Sequence, residues 1–346
     1  MLVLGLESSC DETAAAVLAD GRRVLGQAIA SQAEFFAEFG GVVPELAGRN
    51  HAAKILPVVK EAMNRAGAAY ADLDGIAVTS GPGLTGALLV GLNFGKALAL
   101  GLNKPYVGVN HLAAHLQVTL LAENSPEPPF VGLLVSGGHT ALYEVKQGLA
   151  DSPELLCFRL LGETIDDAAG EAYDKVGRML GVPYPAGAIL DGWANEFTGK
   201  AETFTRPMPK GLDFSFSGLK TAVVRRVKEL KGNDNTPLDE QTRHAVAAGF
   251  QQAAIETLAN KALAACKATG LRSIVIGGGV AANRGLRRLL TKQAEAQGIT
   301  AFFAPMAFCT DNAVMIAARG YQLLKAGKFD SSDLEASPNM ELGVEA

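Results

Sequence analysis

Apolar runs and polar turns alternate along the chain in an order that predicts an α/β protein. Leu2-Val3-Leu4-Gly5-Leu6 gives way to the polar turn Glu7-Ser8-Ser9-Cys10-Asp11-Glu12-Thr13, and Ala14 to Leu18 is apolar again, the pattern of a hairpin of two buried strands. Val131-Gly132-Leu133-Leu134-Val135, Ser136-Gly137-Gly138-His139-Thr140 and Ala141 to Val145 repeat the plan in the second half. Ile76-Ala77-Val78-Thr79 runs through Ser80-Gly81-Pro82-Gly83 into a long helix from Leu84. Ser273-Ile274-Val275-Ile276 runs through Gly277-Gly278-Gly279 into a helix through Asn283 to Leu290. Strand, glycine turn and helix start together offer backbone N–H groups to a phosphate. Any α/β protein needs such turns, so the weight falls on their occurring in two matched pairs.

This duplication resembles the actin-like (ASKHA, ribonuclease H-like) architecture, an α/β fold of two similar lobes with a nucleotide cleft between them. The polar, proline-rich segment Glu123-Asn124-Ser125-Pro126-Glu127-Pro128-Pro129 suits the connection. It divides the chain into an N-terminal lobe of residues 1–125 and a C-terminal lobe of residues 126–346. Residues from about 150 to 245 fit the second copy poorly. With helix-like stretches at Thr164 to Gly181 and Ser217 to Leu230, they read as a mainly helical insertion that carries specificity. Leu84 to Leu102 is the best membrane candidate, but Asn93 and Lys96 interrupt it and Gly86, Gly91 and Gly95 dot it, which predicts a helix packed closely in a core.

Composition narrows the picture. With 48% hydrophobic and 19% charged residues over 346, a largely disordered chain is excluded. A net charge of -5 argues against a surface basic all over, of the kind that coats nucleic acid or anionic lipid. Locally the balance reverses: between Lys200 and Lys231 eight basic residues stand against three acidic ones, and Arg284, Arg287, Arg288 and Lys292 follow. A solvated helix face is the ordinary reading of such runs, and phosphate contact is the functional one. The four cysteines are scattered without a CxxC pair, and the first residues lack a basic n-region, so a cytoplasmic location is expected.

His111 and His115 stand at i and i+4, so a helix would point both imidazoles from one face, where they can ligate one metal or satisfy local hydrogen bonds. A zinc protease of H-x-x-x-H type needs a Glu directly after the first His, and Leu112 stands there. A third ligand must come from elsewhere; Asp311, in a polar turn before a helical run, is a candidate that would otherwise pass for a helix cap. Ser136-Gly137-Gly138 can approach a phosphate or simply turn a hairpin. A carboxylate such as Asp174 or Asp191 can accept both ribose hydroxyls, although Asp174 could equally pair with a neighbouring Lys. Asn283 could cap a helix or read an adenine edge. Cys10 reads as structural.

Taken in order, Glu7-Ser8-Ser9-Cys10-Asp11-Glu12-Thr13, Gly40-Gly41-Val42-Val43-Pro44-Glu45-Leu46-Ala47, Gly81-Pro82-Gly83-Leu84, Leu134 to Thr140, Asp213-Phe214-Ser215-Phe216-Ser217-Gly218-Leu219-Lys220, Gly277 to Arg284 and Cys309-Thr310-Asp311-Asn312 resemble the TsaD family of tRNA threonylcarbamoyltransferases. The resemblance runs from Val3 to about Ala326. It implies transfer of threonylcarbamoyl from threonylcarbamoyl-AMP to N6 of adenosine 37, in tRNAs reading codons that start with A, with release of AMP. It also implies one divalent metal on His111, His115 and Asp311, iron(II) first and zinc second. Leu134, Val135, Ser136, Gly137, Gly138, Asp174, Gly187, Asp191 and Asn283 would hold the adenylate, and TsaB and TsaE would be partner subunits. Where the family often has Glu-Gly or a similar pair between the histidines, this chain has Ala113-Ala114, which removes a group that could orient the ligands. Two other readings compete: an ATP-dependent small-molecule kinase on the same fold, and a catalytically silent scaffold.

Overall fold

A computed structural model describes residues 1–122, 124–148, 155–206, 210–232 and 236–343; Glu123 of the expected connection lies outside the described residues. The chain forms two compact units. The first comprises Met1–Ser125, Lys146–Phe158 and Pro305–Ala346, the second Pro126–Val145 and Arg159–Ala304.

In the first unit the expected hairpin is present as β1 (Leu2–Glu7) and β2 (Glu12–Ala19), paired antiparallel from Leu2↔Ala19 to Glu7↔Ala14. β3 (Arg23–Ser31) extends it, and β4 (Gly75–Gly81) and β5 (Tyr106–Asn110) add in parallel on the other side, giving the order β3-β2-β1-β4-β5. Four helices accompany these strands: α1 (Ala33–Ala37), α2 (Pro44–Ala66), α3 (Thr85–Leu102) and α4 (His111–Gln117). Side chains alternate across a strand, so Leu4 and Leu6 enter one core with Ile55, Val59 and Met63 of α2 and Leu92 of α3.

α3 is the helix whose length and composition would pass for a membrane span. It packs through Gly91 and Gly95, where a Cβ would stand 2.3 Å from Ser8 Oγ and from Val78 Cγ2, while Gly86 meets nothing and only 33% of the helix is buried, less than expected.

The second unit repeats the order as β8-β7-β6-β9-β10, with strands β6 (Phe130–Val135), β7 (Thr140–Gln147), β8 (Leu156–Glu163), β9 (Ser273–Gly277) and β10 (Thr300–Phe303). β6 and β7 form the second hairpin, and β9 runs parallel to β6. Its helices are α5 (Ala169–Met179), α6 (Gly187–Glu196), α7 (Ser217–Lys231), α8 (Glu240–Thr269) and α9 (Arg284–Glu295).

The structure differs from the expected division in two respects. Leu156–Glu163 belongs to the sheet, occupying the place that β3 has in the first unit, so the helical insertion starts only beyond it. Thr164 bridges to Phe214, and the first inserted helix begins at Ala169. The chain from Pro305 onward packs in the first unit. There α10 (Ala313–Lys325) is buried along most of its length, from Ala313 to Gly320, and lies on the face of β1 opposite α2 and α3. A Cβ on Gly5 would stand 2.4 Å from the Ala313 carbonyl oxygen, and one on Gly320 would stand 2.1 Å from Ala77 Cβ. Those two glycines set how closely the helix and sheet approach. The tail then binds the same sheet: Gly108 N–H donates to Asp330 Oδ2 at 2.7 Å and Ser337 N–H to the Ser80 carbonyl at 2.8 Å.

The glycines of α3 give opposite expectations for one substitution. Gly95→Ala overpacks the contact with Val78 and should lower unfolding free energy by about 1–3 kcal/mol. Gly101→Ala meets nothing within 4 Å and should raise it by about 0.5–1 kcal/mol through helix propensity, both measured by denaturant unfolding.

Candidate metal centre and nucleotide site

The centre in the first unit is assembled where β5 ends. Asn110 caps α4, its Oδ1 accepting from the N–H groups of Leu112 (2.9 Å) and Ala113 (3.1 Å), so the helix starts at His111. With Leu112, Ala113 and Ala114 packed into the core, the two imidazoles leave one side with ring centroids 4.6 Å apart. Asp311 meets them from the turn before α10: its Oδ1 is 3.0 Å from His115 Nε2 and 3.6 Å from His111 Nε2. One donor atom from each of the three side chains falls within a 4.8 Å span. Asp311 is not the cap of α10; Asn312 takes that role, accepting from Met315 N–H at 3.0 Å.

Behind the histidines stands a group that the sequence alone did not single out. Glu7, at the end of β1 and fully buried, places Oε2 3.0 Å from His111 Nδ1. Thr79 donates to the same oxygen at 2.7 Å, Ser9 N–H donates to Oε1, and Ser9 Oγ lies 3.2 Å from His111 Nδ1. With Nδ1–H directed to the Glu7 carboxylate, His111 turns Nε2 toward Asp311, the orientation of a metal-ligating imidazole once the Nε2 proton is displaced. Two imidazoles and a carboxylate oxygen converging in a partly exposed, largely buried position suit a divalent cation.

Burial disfavours both charged forms, yet Glu7 and Asp311 together outweigh it and push His111 up to about 9, while the His111 imidazolium holds Glu7 below its ordinary value. Neighbouring groups are spoken for. His51 pins the β1–β2 turn through Cys10 O (2.9 Å) and Thr13 Oγ1 (2.8 Å), and burial lowers its pKa. Burial first, then Asp11, raises the Cys10 thiol well above its usual value, which keeps it protonated and structural, as expected.

The glycine turn after β4 offers little to a phosphate: Gly83 N–H donates to Pro338 O at 3.1 Å and Leu84 N–H to Ser9 O at 2.8 Å. In the second unit the corresponding candidates lie around β6. Leu134 and Val135 end the strand, and Ser136 closes the turn by donating N–H to the His139 carbonyl at 2.8 Å. A Cβ on Gly137 or Gly138 would meet nothing, so this turn presents bare backbone to solvent. It is supported from beneath: Gly170 N–H donates to the Ser136 carbonyl at 3.1 Å, and a Cβ on Gly278 would stand 2.3 Å from the Val135 carbonyl oxygen.

The remaining candidates are held by buried or part-buried hydrogen bonds. Asp174 accepts from Ala186 N–H at 2.8 Å, just before Gly187 opens α6, and its neighbour Lys175 pairs with Asp167 and Glu171 instead. Asn283 caps α9 through Leu286 N–H (2.8 Å) and donates to Gln251 Oε1 at 2.8 Å. Buried Asp191 accepts from Arg284 Nε (2.9 Å), Gln251 Nε2 (3.0 Å) and Asn195 Nδ2 (2.7 Å). Burial pushes its carboxyl up, but Arg284 and the other donors hold it below its usual range. Gly170, Tyr173 and Gln251 thus tie the turn to α6 and α9.

Solved structures show the same fold at low identity. HypF from T. kodakarensis aligns over 96% of this chain and 49% of its own with a TM-score of 0.61 at 15% identity. Component A of Acidaminococcus fermentans (R)-2-hydroxyglutaryl-CoA dehydratase aligns over 95% and 100% with a TM-score of 0.53 at 16% identity. The molecule is therefore an actin-like α/β protein carrying a triad suited to a divalent metal. Residues 23–318 match the family model TsaD, tRNA N6-adenosine threonylcarbamoyltransferase. The enzyme of that name from Symbiobacterium thermophilum is 48% identical across 99% of this chain and 97% of its own, and that from Syntrophotalea carbinolica is 47% identical across 99% and 97%. The chain belongs to the TsaD family: it is a transferase that modifies tRNA adenosine at N6. The kinase and scaffold readings fall with that assignment.

Because His111 holds a proton up to about pH 9, metal must displace it at neutral pH. Apparent affinity for zinc(II) should rise about tenfold per pH unit from pH ~7 and level off near 9, with about one proton released per ion, read by calorimetry in buffers of differing ionisation enthalpy. In the metal-free protein, His111 contributes stability in full below about 6.5, its ordinary value, and that contribution is lost as pH rises through about 9.

Proposed function

We propose that this transferase uses threonylcarbamoyl-AMP as donor and adenosine 37 of tRNAs reading codons that start with A as acceptor. The new bond joins the adenine N6 to the carbamoyl carbon; the bond from that carbon to the phosphate oxygen breaks; AMP departs and one proton leaves N6. The observation that carries the reading is the His111–His115–Asp311 triad backed by Glu7, in a chain of this family.

We assign the triad to one divalent ion, iron(II) first and zinc second. When bound, it supplies positive charge to an oxygen of the donor. The chain's own residues do the rest. Glu7 fixes the His111 ring through Nδ1, and Asn110 fixes the helix start from which both rings project. The open turn Ser136-Gly137-Gly138 supplies backbone to the donor's phosphate, with no Cβ in the way. Asp174, Gly187, Asp191 and Asn283 shape the adenylate's surroundings; Asp191 and Asn283 act through Arg284, Gln251 and Tyr173. A poor amine nucleophile gains chiefly from placement and a good leaving group, so no covalent enzyme intermediate is invoked. TsaB and TsaE are assigned as partner subunits, and exposed Leu56 on α2 with Leu89 and Leu100 on α3 gives a partner apolar surface. The location assigned is the cytoplasm.

Reconstitution with unmodified tRNA, threonine, bicarbonate, ATP, the donor-forming synthase and the partner subunits should yield threonylcarbamoyladenosine by nucleoside mass spectrometry. His115→Ala and Asp311→Ala should each reduce product at least 100-fold with unfolding transitions retained. Normal yield from either variant removes the metal from the mechanism, and no product from the wild type sinks the reading.

A further inference from the structure

The second unit has a cavity of about 260 Å³ between α6, α8 and α9, whose lining excludes the Ser136-Gly137-Gly138 turn and shares Asn195 and Gln251 with the Asp191 network. Ile255 and Leu289 form apolar walls, Asn195 and Gln252 bring amides to the edge, and Arg288 and Lys292 stand beside it. Arg284, Arg288 and Lys292 are exposed and follow one another at four-residue steps, which places a cation about every 6 Å along one face of α9. Arg284 is committed to Asp191, and Arg288 donates to Asn195 Oδ1. The nearby carboxylate on α8, Glu256, is paired with Arg206 and accepts from Gln252, so it does not cancel the stripe.

On the neighbouring turns of α6 and α8, Trp193 stacks with His244, ring centroids 4.6 Å apart and planes tilted by 31°. The Arg243 guanidinium lies 5.3 Å from the Trp193 ring, and Arg243 Nε is buried without a hydrogen-bond partner. Cations and amides around a small hole, with an aromatic ring on the adjoining helix turn, are elements with which proteins hold unpaired RNA bases. An acidic peptide would use the cations but has no need of ring-sized walls edged with amides. The volume lies below the roughly 300–1,000 Å³ of drug-sized sites, which suits one base.

We propose that the α6–α8–α9 cavity binds a single unpaired nucleotide of the RNA substrate, base between Ile255 and Leu289, phosphate on Arg288 and Lys292. This deepens the tRNA reading above and rests on it. It also explains how a chain with net charge -5 grips a polyanion: the contact is a stripe, not a basic surface.

Trp193 is the sole tryptophan, so binding beside it is read directly by fluorescence. Unmodified tRNA should quench the wild-type signal saturably. Arg288→Gln/Lys292→Gln should weaken tRNA binding about tenfold or more and lower the slope of log affinity against log salt by about 0.7, the value of one phosphate on single-stranded RNA. Gln252→Ala should weaken binding without changing that slope. In the reconstituted reaction the double variant should raise KM for tRNA and leave kcat unchanged. Unchanged affinity and slope in the double variant overturn the proposal. So does saturable quenching by AMP that the double variant abolishes while tRNA affinity stays the same, since the cavity would then serve a free nucleotide. Quenching by tRNA with no modified product from the wild type counts against the proposed reaction and leaves the RNA contact standing.

Discussion

The first unit depends on one contact, the buried pairing of Glu7 with His111. A carboxylate with no exposed surface is costly to keep charged unless a partner answers it. Here the His111 imidazole, Thr79 and the Ser9 N–H do so, and they come from α4, β4 and the β1–β2 turn. The pair therefore locks the end of β1 to the start of α4 and fixes the His111 ring. Asp311 is delivered to the same place because α10 lies directly on Gly5 of β1. Close packing of a C-terminal helix on the first strand is thus what completes a centre whose histidines lie about two hundred positions earlier, His115 to Asp311 spanning 196.

The two units apply one strand plan to different ends. Both have a hairpin followed by a parallel strand, in the same order across the sheet. In the first, the hairpin turn is closed over: Leu84 N–H takes the Ser9 carbonyl, His51 takes that of Cys10, and Glu7 is directed inward to His111. In the second, Gly137 and Gly138 leave the corresponding turn open, and Gly170 and Gly278 pack beneath it. Side-chain size thus closes one turn and leaves the other with bare backbone.

Much of this was legible in the sequence. Both hairpins, the strand-to-helix turns, the helix α3 and the three side chains that converge as candidate metal donors follow from local pattern or motif. What escaped is non-local. Glu7 stands in a turn whose residues looked uniformly polar, and nothing local tells that it backs a histidine 104 positions away. The apolar α10 had to be covered by a sheet, but its pattern does not say by which one, so residues after Pro305 were expected in the wrong unit. The edge strand Leu156–Glu163 alternates buried and exposed positions too weakly to be separated from the insertion. Asp191 and Asn283 are also tied to Arg284, Gln251 and a helix cap, a network no spacing rule reveals.

In the assignment proposed above, Glu7 prepares His111 to bind metal through Nε2. The most direct measurement is the metal affinity of Glu7→Gln by competitive chelator titration, with X-ray absorption at the metal edge on the loaded protein. An amide of the same shape retains a hydrogen bond to Nδ1 and loses the charge, so above about pH 9, where no proton on His111 competes, affinity should fall about 10–100-fold, with nitrogen and oxygen neighbours and no sulfur in both proteins. Unchanged affinity, or a sulfur neighbour in the wild type, would contradict it.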